Sequence, residues 1–144
     1  MDAAVSGLRF AVTTEVPRPV EEVFDHIVEP GLLSSYFTSE ASGPLIVGAQ
    51  VKWSWPSGQS ETVDVEEVET NKRVVFRWKA FQVQTRTSVT IALEALEPGR
   101  TEVTIEEEGW NEGEAASAFE HCAGWEHMLL CLKARMAFGI DLRG

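Results

Sequence analysis

The sequence has few cysteines, few basic residues and no long uninterrupted apolar run. It contains two cysteines, and 12 Lys and Arg residues against 23 Asp and Glu residues give a formal net charge of −11. A negative charge of this size opposes phosphate backbones and anionic lipid surfaces, so it argues against nucleic-acid binding and electrostatic membrane docking. No apolar run approaches the ~20 residues of a membrane span, which argues against membrane insertion.

The cysteines and the first residues bear on the cellular compartment. On one predicted helix, Cys122 and Cys131 would lie about 13 Å apart along the axis, whereas the Cα atoms of a disulfide lie within ~7 Å. They cannot pair with each other while the helix is intact, and two free thiols are typical of a cytoplasmic protein. Residues 1–7 lack the basic start and apolar core of a signal peptide, and we expect them to be frayed. We therefore predict a cytoplasmic protein.

Motifs for common enzymatic, cofactor and metal chemistry are also missing from the sequence. There is no GxSxG, no P-loop and no GxGxxG. On a helix, His121 and His127 would point about 240° apart, so they cannot ligate one metal together. His121 and its neighbour Cys122 diverge by ~100°, and we expect no Cys–His nucleophilic pair in this segment. We predict no cofactor and no metal site, and the sequence favours a protein without catalytic activity.

The most informative feature present is one long amphipathic helix in the last third of the chain. The stretch 115–138 contains no proline, and its one glycine is Gly124. Apolar residues recur at steps of three and four, which indicates one continuous apolar stripe on a helix ~35 Å long. The stripe consists of Ala118, Cys122, Trp125, Leu129, Leu132 and Met136. We expect Gly124 to let the helix backbone approach a neighbouring strand closely.

Most of the chain before this helix is typical of strands joined by tight turns. A first strand is predicted from Leu8 to Val16, followed by a short helix that starts near Pro19 and a second one over 31–36. Alternating apolar residues then predict about six further strands, with turn signals between successive ones. This order predicts one α+β domain over residues 1–144.

Several segments, in their order and spacing, resemble a known family. They are EVPRPVEEVF (15–24), GAQVKW (48–53), VVFRW (74–78), GW (109–110), GWEHML (124–129) and CLKA (131–134). Together they resemble the START-like (SRPBCC) superfamily and, within it, the family named for the activator of the heat-shock protein 90 ATPase. The resemblance implies a helix-grip fold, in which a curved antiparallel sheet of about six to seven strands wraps around the C-terminal helix. It also implies two short helices after the first strand, and an apolar cavity that in many members holds a lipid, sterol or polyketide.

Binding of an apolar or amphipathic small molecule between the sheet and the C-terminal helix is the leading interpretation. Large rings supply apolar contact, and indole N–H groups can orient a polar end of the ligand. The candidate lining residues are Trp53, Phe76, Trp78, Phe119, Trp125 and Leu129. For each of the tryptophans the alternative is that it simply fills the core. The small and polar segment from Phe37 to Pro44 is a candidate lid.

Two other classes of function remain open. A stress- or chaperone-linked interaction protein without a ligand would bind its partner through an exposed surface. Trp110 and the loop 111–114 are the candidate anchors for such a partner. An enzyme of the cyclase or hydrolase type would use Glu107 or His26 for acid–base chemistry.

Glu107 has two interpretations. If the alternation of the last strand turns it inward, burial in an apolar pocket would raise its pKa and suit it to general acid or base chemistry. The other interpretation is a solvated run, because Glu106 and Glu108 flank it and Gly109 follows, where strand alternation often lapses. We favour the solvated run, since charge runs usually lie at the surface.

Overall fold

A computed structural model of the protein describes residues 7–80, 83 and 85–144. Residues 1–6, which belong to the segment predicted to be frayed, lie outside the described residues. The elements in chain order are β1 (Arg9–Val16), α1 (Val20–Val28), α2 (Pro30–Leu33), β2 (Glu40–Ala41), β3 (Gln50–Ser54), β4 (Ser60–Glu69), β5 (Arg73–Trp78), β6 (Thr87–Glu97), β7 (Arg100–Glu108) and α3 (Ala115–Phe138).

The strands form one antiparallel sheet of seven strands in the order β1-β7-β6-β5-β4-β3-β2. From β2 to β7 each strand pairs with the next one along the chain, and β1 closes the order by pairing with β7. Register shifts in β4 and β6 mark bulges, which bend the strands and increase their twist. The sheet curls as a half-barrel against α3, so the predicted α+β helix-grip fold is confirmed.

The core lies between the inner face of the sheet and α3. In β5, Val74, Phe76 and Trp78 are buried and alternate with partly exposed residues, as expected for a strand with one buried face. Burial of each large apolar side chain contributes about 1.5–3 kcal/mol. The same alternation in β7 buries Val103 and Ile105 and continues for one more step, to Glu107.

The long helix has the bounds that periodicity predicts, Ala115–Phe138. It ends because Gly139 adopts a left-handed conformation with φ 68°, and its N–H group donates to the carbonyl of Arg135. The buried face is wider than the predicted stripe. It also includes His121, Met128 and Cys131, whereas Cys122 is only half-buried. No helix in the described ranges is long and apolar enough to cross a membrane.

One local prediction is wrong. Around a Cβ atom placed on Gly124, no heavy atom of the described chain lies within 4 Å apart from its chain neighbours and the nearby backbone of its own helix, so this glycine does not serve close packing against a strand. The segment from Phe37 to Pro44 contains β2, the edge strand of the sheet, and its role as a lid stays a prediction. The N–H group of Ser39 donates to the carbonyl of Ser54 at 2.8 Å, and Thr38 is fully buried.

Candidate functional site

A buried carboxylate lies where β7 meets α3. The side chain of Glu107 is fully buried and accepts hydrogen bonds from four side chains. On one oxygen, Oε2, the donors are Trp78 Nε1 at 3.0 Å and Thr87 Oγ1 at 2.5 Å. On Oε1 the donor is Trp125 Nε1 at 2.9 Å. The fourth partner, His121 Nδ1, lies 3.0 Å from Oε2 and 3.1 Å from Oε1. We call these five residues the Glu107 network.

The donors of the network come from three different elements. Trp78 ends β5, Thr87 begins β6, and His121 and Trp125 lie one turn apart on α3. Glu107 itself pairs in register with Val89 of β6, so its side chain points to the same face as the core of the sheet. The network therefore ties the ends of three strands to the long helix.

The electrostatics of the network keep the carboxylate ionised. Burial raises the pKa of Glu107, but the hydrogen bond and charge of His121 lower it. Hydrogen bonds from Thr87 and Trp78 lower it further, and the net pKa lies below the ordinary value of 4.5. Two predictions are therefore wrong: Glu107 is not part of a solvated run, and its burial does not produce a raised pKa.

An open cavity of about 560 Å³ lies beside the network, between α3 and the turn that joins β3 to β4. Its volume falls within the range of about 300–1,000 Å³ that is typical of small-molecule sites. Most of its wall is apolar, and five aromatic rings contribute to it. They belong to Tyr36, Phe37, Trp55, Trp78 and Trp125.

The rings of the cavity wall contact one another in fixed orientations. Trp78 and Trp125 stack with centroids 5.4 Å apart, and both indole N–H groups are held by Glu107. Phe37 packs edge-on against Trp55 at 5.5 Å and lies 5.9 Å from Trp125. Because the network fixes the indole ends, it also fixes the ring faces that line the cavity.

The C-terminal segment supplies a polar side of the cavity. Arg143 lines it and donates to the carbonyl groups of Ser34 at 3.0 Å and Thr38 at 2.7 Å. Its guanidinium group also bonds Asp141 at 2.9 Å, and hydrogen bonds from Arg143 lower the pKa of Asp141 from 3.8 to about 2. The chain after α3 is thereby tied to the segment that follows α2.

A thiol–imidazole pair also lies on the cavity wall. Cys131 Sγ is 3.5 Å from His127 Nε2, one helical turn away, and both residues line the cavity. The prediction of no Cys–His nucleophilic pair in this segment considered only His121 beside Cys122 and overlooked this contact between two side chains four residues apart. Burial raises the pKa of Cys131, so its thiol is not activated as a nucleophile. In the part of the chain that the structure describes, no three His, Cys, Asp or Glu side chains are grouped to hold a metal ion.

The structure divides the predicted lining residues into three groups. Trp78 and Trp125 line the cavity. Trp53, Phe76 and Leu129 are buried in the core behind that wall, with the rings of Trp53 and Phe76 5.4 Å apart. Phe119 is not brought to the cavity, because it lies on the outer side of α3 with 68% of its surface exposed.

Sequence reasoning missed two aromatic lining residues, Tyr36 and Phe37. They follow the short helix α2, where no periodicity indicates their direction. Trp55 lies just beyond the end of β3 and keeps the alternation of Trp53, so the sequence already places it on the same face as a predicted lining residue.

His26 and Trp110, two residues named for the alternative functions, do not lie where those functions would need them. His26 Nδ1 lies 2.9 Å from the carbonyl of Glu22 on its own helix, and His26 is not part of the cavity wall. Trp110 is fully buried, with its ring 4.7 Å from that of His121. The prediction that Trp110 is an exposed anchor for a protein partner is therefore wrong.

The curled seven-stranded sheet and the long helix packed against it define an α+β protein of the helix-grip class. The family model for activator of Hsp90 ATPase homolog 1-like proteins (AHSA1) matches residues 17–137, and the chain belongs to this family. The family predicted from the sequence is thus confirmed. A search among curated proteins found no match.

Many solved structures share this fold, and three examples are similar over more than nine-tenths of this chain. Protein SSP2350 from Staphylococcus saprophyticus is 25% identical with a TM-score of 0.82, over 95% of this chain and 97% of that one. DynU16, from the dynemicin biosynthetic locus, is 24% identical with a TM-score of 0.81, over 91% of this chain and 48% of that one. The Aha1 dimer from Colwellia psychrerythraea is 22% identical with a TM-score of 0.78, over 92% and 98%. At these identities the last two show the fold alone.

Proposed function

We propose that this protein binds an apolar or amphipathic small molecule in the cavity between α3 and the β3–β4 turn. The observation that carries the proposal is the cavity of about 560 Å³ with its wall of aromatic rings. Apolar clefts of this size with a few polar groups are the usual form of small-molecule sites. Burial of apolar ligand surface against these rings would supply most of the binding free energy.

The rigid arrangement of the rings supports the same proposal. The Glu107 network holds the indole groups of Trp78 and Trp125 from behind, so their faces are in place before a ligand arrives. A preformed wall lowers the entropy that binding would otherwise cost. DynU16, which shares the fold, belongs to a biosynthetic locus, and this setting is compatible with a small-molecule ligand.

The geometry of Glu107 argues against acid–base catalysis by this residue. Both of its oxygens accept hydrogen bonds from buried donors, and its lowered pKa keeps it unprotonated at neutral pH. A general acid would need a proton and access to the ligand. We therefore assign the carboxylate to holding the cavity wall and not to turnover.

The proposal is tested by a two-dimensional NMR titration that follows the five indole N–H signals. Flavonoids, polyketide-like aromatics, sterols and fatty acids form the panel of ligands. We expect saturable shifts that are largest at Trp55, Trp78 and Trp125, which line the cavity, and smaller at Trp53 and Trp110, which do not. If no compound moves any indole signal, the proposal is wrong.

Two variants test whether the ligand binds in this cavity. Trp55→Ala removes a half-buried ring from the wall and should weaken binding of the best compound about tenfold or more. Phe119→Ala is the matched control, because this ring is exposed on the other side of α3. Equal affinities of the two variants would contradict binding in this cavity.

A further inference from the structure

Gly124 is the only glycine in the 24 residues of α3, and neither of the common reasons for a glycine applies to it. Glycine is among the least favourable residues in a helix interior, because it loses the most backbone freedom on folding. Its φ is not in the left-handed region, so the backbone conformation does not require it. Apart from its chain neighbours and the nearby backbone of its own helix, no heavy atom of the described residues lies within 4 Å of an added Cβ, so close packing does not require it either.

The space beside Gly124 belongs to the cavity. Gly124 is part of the cavity wall, and so are Glu120 and Met128, which lie one turn before and one turn after it on the same helical face. The missing side chain therefore leaves a gap between these two residues, in which the helix backbone itself forms the wall. Any larger residue at this position would project into the cavity.

We propose that Gly124 is the specificity-determining residue of the binding site and that it admits a flat polycyclic aromatic ligand without negative charge. This inference rests on the proposed small-molecule binding. A fused ring system can lie against bare helix backbone on one face, and the rings of Phe37 and Trp55 supply aromatic wall elsewhere in the same cavity. Stacked and edge-on contacts with such rings favour an aromatic ligand over an alkyl chain.

The polar groups of the wall favour a ligand without negative charge. Arg143 is already bonded to Asp141 and to two backbone carbonyl groups. Glu120 adds a carboxylate to the same wall, and the Cys131 thiol contacts His127. An anionic ligand would lose its hydration without gaining a new cationic partner from Arg143.

The experiment is a fluorescence titration with two probes, 1-aminoanthracene as a flat tricyclic ligand and cis-parinaric acid as a fluorescent alkyl chain. The variants are Gly124→Ala, Gly124→Leu and, as the matched control, Ala123→Leu. Ala123 is exposed on α3 and is not part of the cavity wall, so the same added volume there should leave affinity unchanged. Circular dichroism and thermal denaturation of each variant verify that it folds.

We expect the wild-type protein to bind 1-aminoanthracene and Gly124→Leu to weaken that binding at least about tenfold. Gly124→Ala should raise the melting temperature by about 3 °C, because alanine favours the helix, and still weaken probe binding. This opposite movement of stability and affinity would not follow from a purely structural role of the glycine. A probe affinity of Gly124→Leu equal to that of wild type would overturn the inference.

The remaining outcomes separate the two proposals. If the wild type binds only cis-parinaric acid, the inference of a flat aromatic ligand is wrong while small-molecule binding stands. If the wild type binds 1-aminoanthracene and all three variants bind it equally, only the role of Gly124 is wrong. If the wild type binds neither probe nor any compound of the NMR panel, both proposals fail.

Discussion

The carboxylate of Glu107 and the imidazole of His121 face each other across the junction of β7 and α3, with Nδ1 3.0 Å from Oε2. Both side chains are buried, and Glu107 is completely so. Isolated burial of an ionised carboxylate would cost far more than a folded domain can offset, so its hydrogen-bond donors are essential. The cavity wall shares three of these partners, Trp78, His121 and Trp125, and so depends on the same contacts.

Replacement of Glu107 by glutamine should destabilise the protein by about 2–4 kcal/mol. The amide keeps one acceptor oxygen but places an NH₂ group against donors that need an acceptor, so buried N–H groups lose their partners. Urea denaturation measures the change. The matched control is Glu108→Gln, an exposed neighbour whose pairing with Arg9 at 3.7 Å should contribute less than about 1 kcal/mol. Similar free energies of unfolding for both variants would contradict this role of Glu107.

The stability contributed by Glu107 should decrease as the pH falls. Its pKa in the folded protein is below the ordinary value of 4.5, so the unfolded chain takes up the proton first as pH falls. The contribution is therefore complete above about pH 4.5 and declines as pH falls through the folded-state pKa. Denaturation of the wild type and Glu107→Gln at pH 7, 5, 4 and 3 measures it. The stability difference should shrink at the acid end, and a difference that grows there would contradict the assignment.

Much of the fold could be predicted from regular patterns. The helix 115–138 follows from apolar steps of three and four, and the strand alternation is visible in Val74, Phe76 and Trp78. The same alternation, extended from Val103 and Ile105, pointed Glu107 inward. The prediction of a solvated run gave more weight to the usual exposure of charged residues, and the donors that reverse this preference lie 14–29 positions away in the sequence.

The candidate site was harder to predict because its wall depends on tertiary contacts. Trp110 follows the end of β7, where no alternation indicates its direction, and it is buried by Phe10 and His121 from other elements. Phe119 fits a helical spacing from Cys122 but falls on the outer face of α3. Hydrophobicity alone did not separate these two rings, and the packing of α3 on the sheet decides which is buried.

The different burial of Trp110 and Phe119 predicts different effects of their removal. Trp110→Ala should destabilise the protein by about 3–5 kcal/mol, because it leaves a cavity in a filled cluster with Val83 and Ala118. Phe119→Ala should change the free energy of unfolding by less than about 0.5 kcal/mol, since its ring is largely exposed. Thermal or urea denaturation checks both values. A larger loss of stability in the Phe119 variant than in the Trp110 variant would contradict the placement of these rings.

The two cysteines should differ in their rate of alkylation. Burial raises the pKa of Cys131 and only 2% of its surface is exposed, whereas Cys122 is partly exposed. Since the thiolate is the reacting form, iodoacetamide at pH 8 should modify Cys122 well before Cys131. Peptide mass spectrometry resolves the two sites. A ligand of the cavity should slow the alkylation of Cys131 further and leave that of Cys122 unchanged. The Cys131→Ser variant identifies the slow site. Faster modification of Cys131 than of Cys122 would contradict the prediction.

Removal of the contact between Arg143 and Asp141 should raise the pKa of Asp141. Hydrogen bonds from Arg143 hold the pKa of Asp141 at about 2, below its ordinary value of 3.8. Arg143→Gln removes the charge and most of the donors, so the pKa of Asp141 should return towards 3.8. Carboxyl ¹³C NMR titration between pH 1.5 and 6 measures it in both proteins. Lys133→Gln, which also removes one positive charge from this end of the chain, is the control and should leave the value near that of the wild type. Because Arg143 also holds the carbonyl groups of Ser34 and Thr38, amide exchange in that segment should accelerate in the Arg143 variant alone.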